Sequence, residues 1–290
     1  MFESLNAICE KAAKEKKSVW QVVIEDDACQ QDISVEDNLD RMVTVYQAMR
    51  ASDENYDPSL KSNSGLVGCE AEKVRKARLE GSLMCGDFVS RIMERALRVA
   101  ESNACMKKIV AAPTAGSCGV MPAVLLTIQE EYGYSDEDMA KALYVAGGIG
   151  SVIAHRASVS GAEGGCQAEI GSASAMTAGA AVYLRGGSNE QMMNASALAL
   201  KSLLGLACDP VAGLVEVPCV KRNVIGAVNA LTAADMTMAG IESKIPPDEV
   251  IDAMQSIGRR MDPSIRETGV GGLAGTPTGA RIREEIRGNL

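Results

Sequence analysis

The sequence predicts an all-α fold, a compact multi-helix domain with Gly-rich loops, and three observations carry that prediction. Hydrophobic residues make up 47% of the chain but aromatic ones only 3%. The core must then be built from Ala, Val, Leu, Ile and Met, which suit closely packed helices and lack the Phe- and Tyr-rich signature of strands. Apolar residues recur at helical spacing, as at Phe88, Ile92, Ala96 and Val99. Beyond about residue 110, segments apolar on more than one face alternate with turns of Gly and small residues, the pattern of helices buried inside a bundle.

In order along the chain, the first 50 residues read as two amphipathic helices. Ser34 with Asp37 three residues on forms a capping box for the second, which runs to about Met49. A polar stretch from Asp53 to Gly68, containing Asp57-Pro58, is either a linker or a loop belonging to a site. A helix is expected over Gly81–Ser102, followed by apolar helices over Met121–Glu131, Ser135–His155, Ser174–Arg185, Ser188–Leu206 and Asn223–Ala239. Ser188 and Gln191 make another capping box. Pro247 suits the first position of a last helix ending near Arg260, and the tail is Gly-rich, then charged.

The formal net charge is −9, and no basic stripe is present, so a nucleic-acid partner is not expected. No stretch approaches the roughly 20 apolar residues of a membrane span. The opening MFESLNAICEKAAKEKKS is charged throughout with no hydrophobic signal region, which points to a cytoplasmic protein. In that compartment the nine cysteines should stay reduced, each a small buried hydrophobe, a metal ligand or a nucleophile.

Four Gly-containing loops lie between the apolar helices: AAPTAGSCGVMP (111–122), SVSGAEGGCQAEIGSASA (158–175), LACDPVAGLVEVPC (206–219) and ETGVGGLAGTPTG (267–279). Glycines let a backbone approach a ligand closely, although a glycine between helices is also a common C-cap. Three of the loops carry a cysteine. No C-x-x-C occurs, which weakens zinc-ribbon, thioredoxin-like and ferredoxin-type readings, so any metal cluster would draw its ligands from distant loops. There is no P-loop, and the Gly-x-Gly-x-x-Ala match at Gly269–Ala274 follows no strand. The single histidine, His155, ends an apolar helix and reads as a capping or core residue.

The phrases PTAGSCGVMPAVL (113–125), SVSGAEGGCQAEIGSA (158–173), CDPVAGLVEVPCVKRN (208–223) and ETGVGGLAGTPTGARI (267–282), with KSNSGLVG (61–68) as a weaker match, resemble the α subunit of iron-sulfur-dependent L-serine dehydratases. The resemblance implies one catalytic domain over 1–290, with an N-terminal helical part (1–60) and a core (61–290) whose loops converge on a cluster site. It implies that Cys166, Cys208 and Cys219 ligate three irons of a [4Fe-4S] cluster. The fourth iron is then open to act as a Lewis acid on the substrate hydroxyl. β-Elimination would convert L-serine to pyruvate and ammonia by way of 2-aminoacrylate. Ser62, Ser64 and Gly65 in one loop and Thr114 and Ser117 in another are the expected contacts of the substrate carboxylate, though such residues also commonly satisfy local backbone groups. No residue is singled out as the catalytic base. Cys118 is expected to lie behind the ligands or to fill space, and Cys9, Cys29, Cys69, Cys85 and Cys105 to be buried small residues.

The chain departs from one-chain members of that family in two ways. It lacks their Ser-Ser-Ser-His-Thr type motif, which implies a separate β subunit, and its tail after Gly271 has no cysteine. Three rival readings stand beside this one. A pyridoxal-phosphate dehydratase is disfavoured because no lysine lies in the four loops. Another [4Fe-4S] hydro-lyase acting on a small hydroxy acid would present similar loops, and a non-catalytic iron-sulfur subunit would show no turnover with any partner.

Overall fold

The computed structural model describes residues 2–288. The described chain is all-α, its only β-type contact being a bridge between Cys208 and Arg266. Three helices, rather than the expected two, fill the N-terminal part: α1 (Leu5–Glu15), α2 (Val19–Gln31) and α3 (Val35–Glu54). The additional break falls at Lys16, whose left-handed backbone turns its N–H onto the carbonyls of Ala12 and Ala13. Ser18 then opens α2, its N–H donating to Gln21 Oε1 at 2.8 Å. Lys-Glu-Lys-Lys-Ser has no apolar residue with which to continue the stripe of α1. Ser34 caps α3 as its spacing predicts, accepting from the Asp37 N–H at 2.9 Å.

Helix α4 (Glu70–Leu79) was not expected, and its sequence explains why. Only Ala71 is buried, so EAEKVRKARL shows little apolar periodicity. Charge order supports it instead, with Glu70 and Glu72 in the first turn and Lys76 and Arg78 in the last, complementing the helix dipole. Arg78 also reaches the buried Glu94 carboxylate at 3.0 Å on α5 (Gly86–Ala104), a helix that begins at Gly86 rather than Gly81.

The remaining helices are α6 (Val120–Tyr132), α7 (Asp136–Arg156), the single turn α8 (Gly161–Gly164), α9 (Ser172–Leu184), α10 (Asn189–Lys201), α11 (Cys219–Met238), α12 (Pro247–Arg260) and α13 (Pro277–Gly288). Of the boundaries expected from sequence, α12 matches. The helix opened by Ser188 ends at Lys201, not Leu206, and α11 starts at Cys219, ahead of Asn223. The charged tail is helical.

Helix α9 lies at the centre, packed by α6, α7, α10 and α11. Every residue from Ser172 to Val182 is buried, so this segment has no solvent face at all. Its SASAMTAGAAV composition lets four neighbours approach closely, and two of its three hydroxyl side chains turn back to backbone. Ser174 Oγ donates to the Gly226 carbonyl at 2.8 Å and Thr177 Oγ1 to that of Ala173 at 2.7 Å. Leu5, Ile8, Val22, Ile24, Tyr46 and Met49 of α1–α3 belong to the same apolar cluster as Ile149, Val182 and Leu200. Gly119, just before α6, allows another close approach. A Cβ there would sit 2.5 Å from the Ala96 carbonyl oxygen of α5.

Four cysteines are buried: Cys118, Cys166, Cys208 and Cys219. The expectation that the other five would be buried fails. Cys29 and Cys85 are exposed, and Cys9, Cys69 and Cys105 are only partly covered. Cys29 lies off the buried face of α2 formed by Val19, Val22, Val23, Ile24 and Ala28, and Cys85 sits in the turn before α5. His155 is exposed in the last turn of α7, so it is not a core residue. No described helix is long and apolar enough to cross a membrane.

Candidate active site

Three of the four buried cysteines stand at the starts or ends of loops held by side chains that sequence periodicity does not reveal. Cys166 precedes a π-helical turn, Gln167–Gly171, that leads into α9. Gln167 is wholly buried and fully used. Its Nε2 donates to the Met254 carbonyl at 2.9 Å, and its Oε1 accepts from the Gly205 N–H at 2.8 Å. Its own N–H reaches the Leu206 carbonyl at 3.0 Å. One side chain thus ties the Cys166 turn to α12 and to the segment leading to Cys208.

Cys208 is fixed by backbone. Its N–H donates to Ile265 and its carbonyl accepts from Glu267 at 2.7 Å, which brings the C-terminal Gly-rich loop alongside. Asp209 adds to this, accepting from the Leu273 N–H at 2.8 Å through Oδ2 and from Arg222 Nη2 at 2.8 Å through Oδ1. Cys219 opens α11. One turn further on, Asn223 donates to the carbonyls of Cys219 and Gly116 and accepts from the Gly119 N–H at 2.8 Å. The PTAGSCG loop is thereby fastened to the Cys219 helix.

The three thiols share one electrostatic environment. Burial pushes Cys166 up to about 11, against the pull of the nearby Arg222 guanidinium, which hydrogen-bonds to it. Burial pushes Cys219 up to about 12, and the Cys166 sulfur and Glu169 raise it further. Cys208 is raised strongly by burial, then by Glu169 and the other two cysteines. Arg222 supplies positive charge here, its Nη1 held by the Ala207 carbonyl at 2.7 Å. Three clustered thiols beside a fixed cation, with no histidine among them, form the soft donor set that holds iron-sulfur clusters. Among the described residues, no three His, Cys, Asp or Glu side chains close on a single metal ion.

The remaining predicted residues separate into two sets. Thr114 Oγ1 donates to Glu169 Oε1 at 2.9 Å and lies 3.1 Å from Ser117 Oγ, so both belong to the neighbourhood of Cys208. Ser62 and Ser64 instead donate to Glu216 Oε2 at 2.7 and 2.5 Å, and Gly65 closes their turn by donating to the Ser62 carbonyl. Glu216 stands three residues before Cys219, so this turn braces the Cys219 loop. Cys118 is buried with its Sγ directed to the Val99 carbonyl of α5.

Sequence reasoning missed Glu169, Arg222, Gln167 and Asn223. Glu169 lies within the GGCQAEIG phrase, three residues after Cys166, and that proximity was the available signal. Its Oε2 lies 3.8 Å from Cys208 Sγ, and burial raises its carboxyl above the usual range despite the Thr114 hydrogen bond. Gly161 makes room for it, since a Cβ there would come within 2.7 Å of Oε2 and 3.0 Å of Cys208 Sγ.

Comparison with known proteins agrees with the loop phrases. The family model described as serine dehydratase alpha chain matches residues 14–274. A probable L-serine dehydratase alpha chain of Bacillus subtilis is 45% identical over 99% of this chain and 96% of its own length. One from Latilactobacillus sakei is 53% identical over 70% of this chain and 97% of its own. The L-serine dehydratase alpha chain of Peptoniphilus asaccharolyticus is 41% identical, covering 92% of each. With its three cysteine loops gathered at one site and these matches spanning nearly its whole length, the chain belongs to the serine dehydratase alpha chain family.

Proposed function

We propose that this chain is the iron-sulfur subunit of an L-serine dehydratase, a lyase that converts L-serine to pyruvate and ammonia, with Cys166, Cys208 and Cys219 holding a [4Fe-4S] cluster. The observation that carries the reading is the meeting of three buried cysteines from two loops, 158–175 and 206–219, beside Arg222. When bound, the cluster supplies an open iron whose Lewis acidity makes the substrate hydroxyl a better leaving group.

The chain's own residues do the rest of the holding. Gln167, Asp209 and Asn223 fix the cysteine loops, and Arg222 offsets the negative charge of the thiolates. The substrate carboxylate is assigned to the Ser62, Ser64 and Gly65 turn and to Thr114 and Ser117. Ser62 and Ser64 meet it only by sharing hydroxyls already bound to Glu216. Loss of the α-proton and of hydroxide yields 2-aminoacrylate, whose imine tautomer hydrolyses to pyruvate and ammonia. The chain's single histidine is the exposed His155, and the relatives are named alpha chains. A separate β subunit is therefore assigned the completion of the site.

The test is anaerobic purification, iron and sulfide analysis, and pyruvate formation from L-serine with and without the partner chain. About four irons per chain and L-serine turnover in the pair are expected. A metal-free chain that turns over L-serine would sink the reading. Turnover of a hydroxy acid in place of L-serine would support a related hydro-lyase instead.

A further inference from the structure

Glu169 is a half-buried carboxylate at the edge of the cysteine site with no role assigned so far. It accepts a hydrogen bond from a neutral hydroxyl, Thr114 Oγ1 at 2.9 Å, and a second from the Cys208 thiol at 3.8 Å that is lost once Cys208 is deprotonated to bind metal. Bare backbone flanks it on two sides, since a Cβ on Gly116 would lie 3.1 Å from Oε1 and one on Gly161 2.7 Å from Oε2. The nearby cation, Arg222, is paired with Asp209 at 2.8 Å rather than with Glu169. The other charge that Glu169 senses strongly is the exposed Glu267 carboxylate, of the same sign. The site thus presents, beside Cys208, a carboxylate on which Arg222 acts only weakly and which forms no ion pair among the described residues.

L-Serine carries its ammonium and its hydroxyl on adjacent carbons. A substrate whose hydroxyl faces the metal side of Cys208 brings its ammonium within reach of a carboxylate next to that sulfur. We infer that Glu169 recognises the α-ammonium group of the substrate and so selects a 2-amino acid over a hydroxy acid of the same shape. Charge-assisted N–H to carboxylate bonds do this, with Thr114 holding the carboxylate in place. The inference rests on the dehydratase reading above, and it makes Glu169 a specificity residue.

The test uses the anaerobic holoenzyme with its partner chain and reads binding from the ligand-induced change in the cluster spectrum, independently of turnover. Wild type should bind L-serine at least about tenfold more tightly than 3-hydroxypropanoate, its analogue without the ammonium. Glu169→Gln, with iron and sulfide unchanged, should weaken L-serine by about tenfold or more in both KM and Kd, and 3-hydroxypropanoate by much less. The inference is overturned if the variant binds L-serine as wild type does, if both ligands weaken equally, or if kcat alone falls. Equal binding of the two ligands by wild type overturns it as well, whether or not the variant assembles a cluster. A wild-type pair that makes no pyruvate from L-serine defeats the dehydratase reading itself. A pair that makes pyruvate while Glu169→Gln binds normally defeats only the role of Glu169.

Discussion

Arg222 donates to Asp209 at 2.8 Å, and the two side chains are only 16% and 7% exposed. The pair joins α11 to the loop that carries Cys208, and Asp209 extends the link to the C-terminal loop through the Leu273 N–H. A buried ion pair adds little over an apolar replacement, but removing one member strands the other. Asp209→Ala should therefore destabilise the chain by about 3 kcal/mol. Urea unfolding of the metal-free protein measures this, and an unchanged midpoint would show that Arg222 finds compensation in the Ala207 carbonyl alone.

Gly119 tests the close approach of α5 and α6. An added Cβ meets the Ala96 carbonyl oxygen at 2.5 Å, and that atom belongs to the backbone of a packed helix, so it cannot swing aside. Gly119→Ala should cost about 1–3 kcal/mol, the range for overpacking a tight contact. Thermal unfolding reports it. A variant as stable as wild type would mean that the two helices separate without penalty.

Gln167 links three segments, which couples stability to metal retention. Gln167→Ala removes the hydrogen bonds to the exposed Gly205 N–H and to the Met254 carbonyl, which keeps its helical partner, at roughly 0.5–1.5 kcal/mol each. The same change loosens the Cys166 turn from the segment before Cys208. Iron per chain should then fall faster than in wild type during anaerobic dialysis against a chelator. Equal loss rates would separate the Gln167 network from the cysteine site.

The parts of this molecule legible in its sequence are those set by local rules. Ser34 and Ser188 cap helices through the residue three positions on, and Pro247 opens α12 as a first-turn proline should. Helix α4 escaped because its support is charge order and a salt bridge to Glu94, which leave no apolar stripe to read. In the site, the cysteines were legible because they stand in distinctive loops. Gln167 and Asn223 were not, since a polar residue in an apolar helix looks the same whether it is spent on solvent or on distant backbone. Only tertiary contact assigns their hydrogen bonds.

Accessibility separates the nine cysteines by reactivity. Thiolate is the reacting form, and burial holds Cys166 up to about 11 and Cys118 and Cys219 up to about 12. At pH 7.5 these thiols are overwhelmingly protonated and shielded, whereas Cys29 and Cys85 are open to solvent. Treating the native metal-free chain with iodoacetamide, followed by peptide mass analysis, should label Cys29 and Cys85 first. The four buried cysteines should react only after denaturant is added. Raising the pH increases the thiolate fraction but not access, so the order should persist at pH 9. Early labelling of Cys166 or Cys208 would mean that the site opens readily without metal. In the metal-loaded protein, Cys118→Ala should retain iron and sulfide while Cys208→Ala loses them, because Cys118 turns its sulfur to the Val99 carbonyl of α5. Full iron in the Cys208 variant would overturn that assignment of ligands.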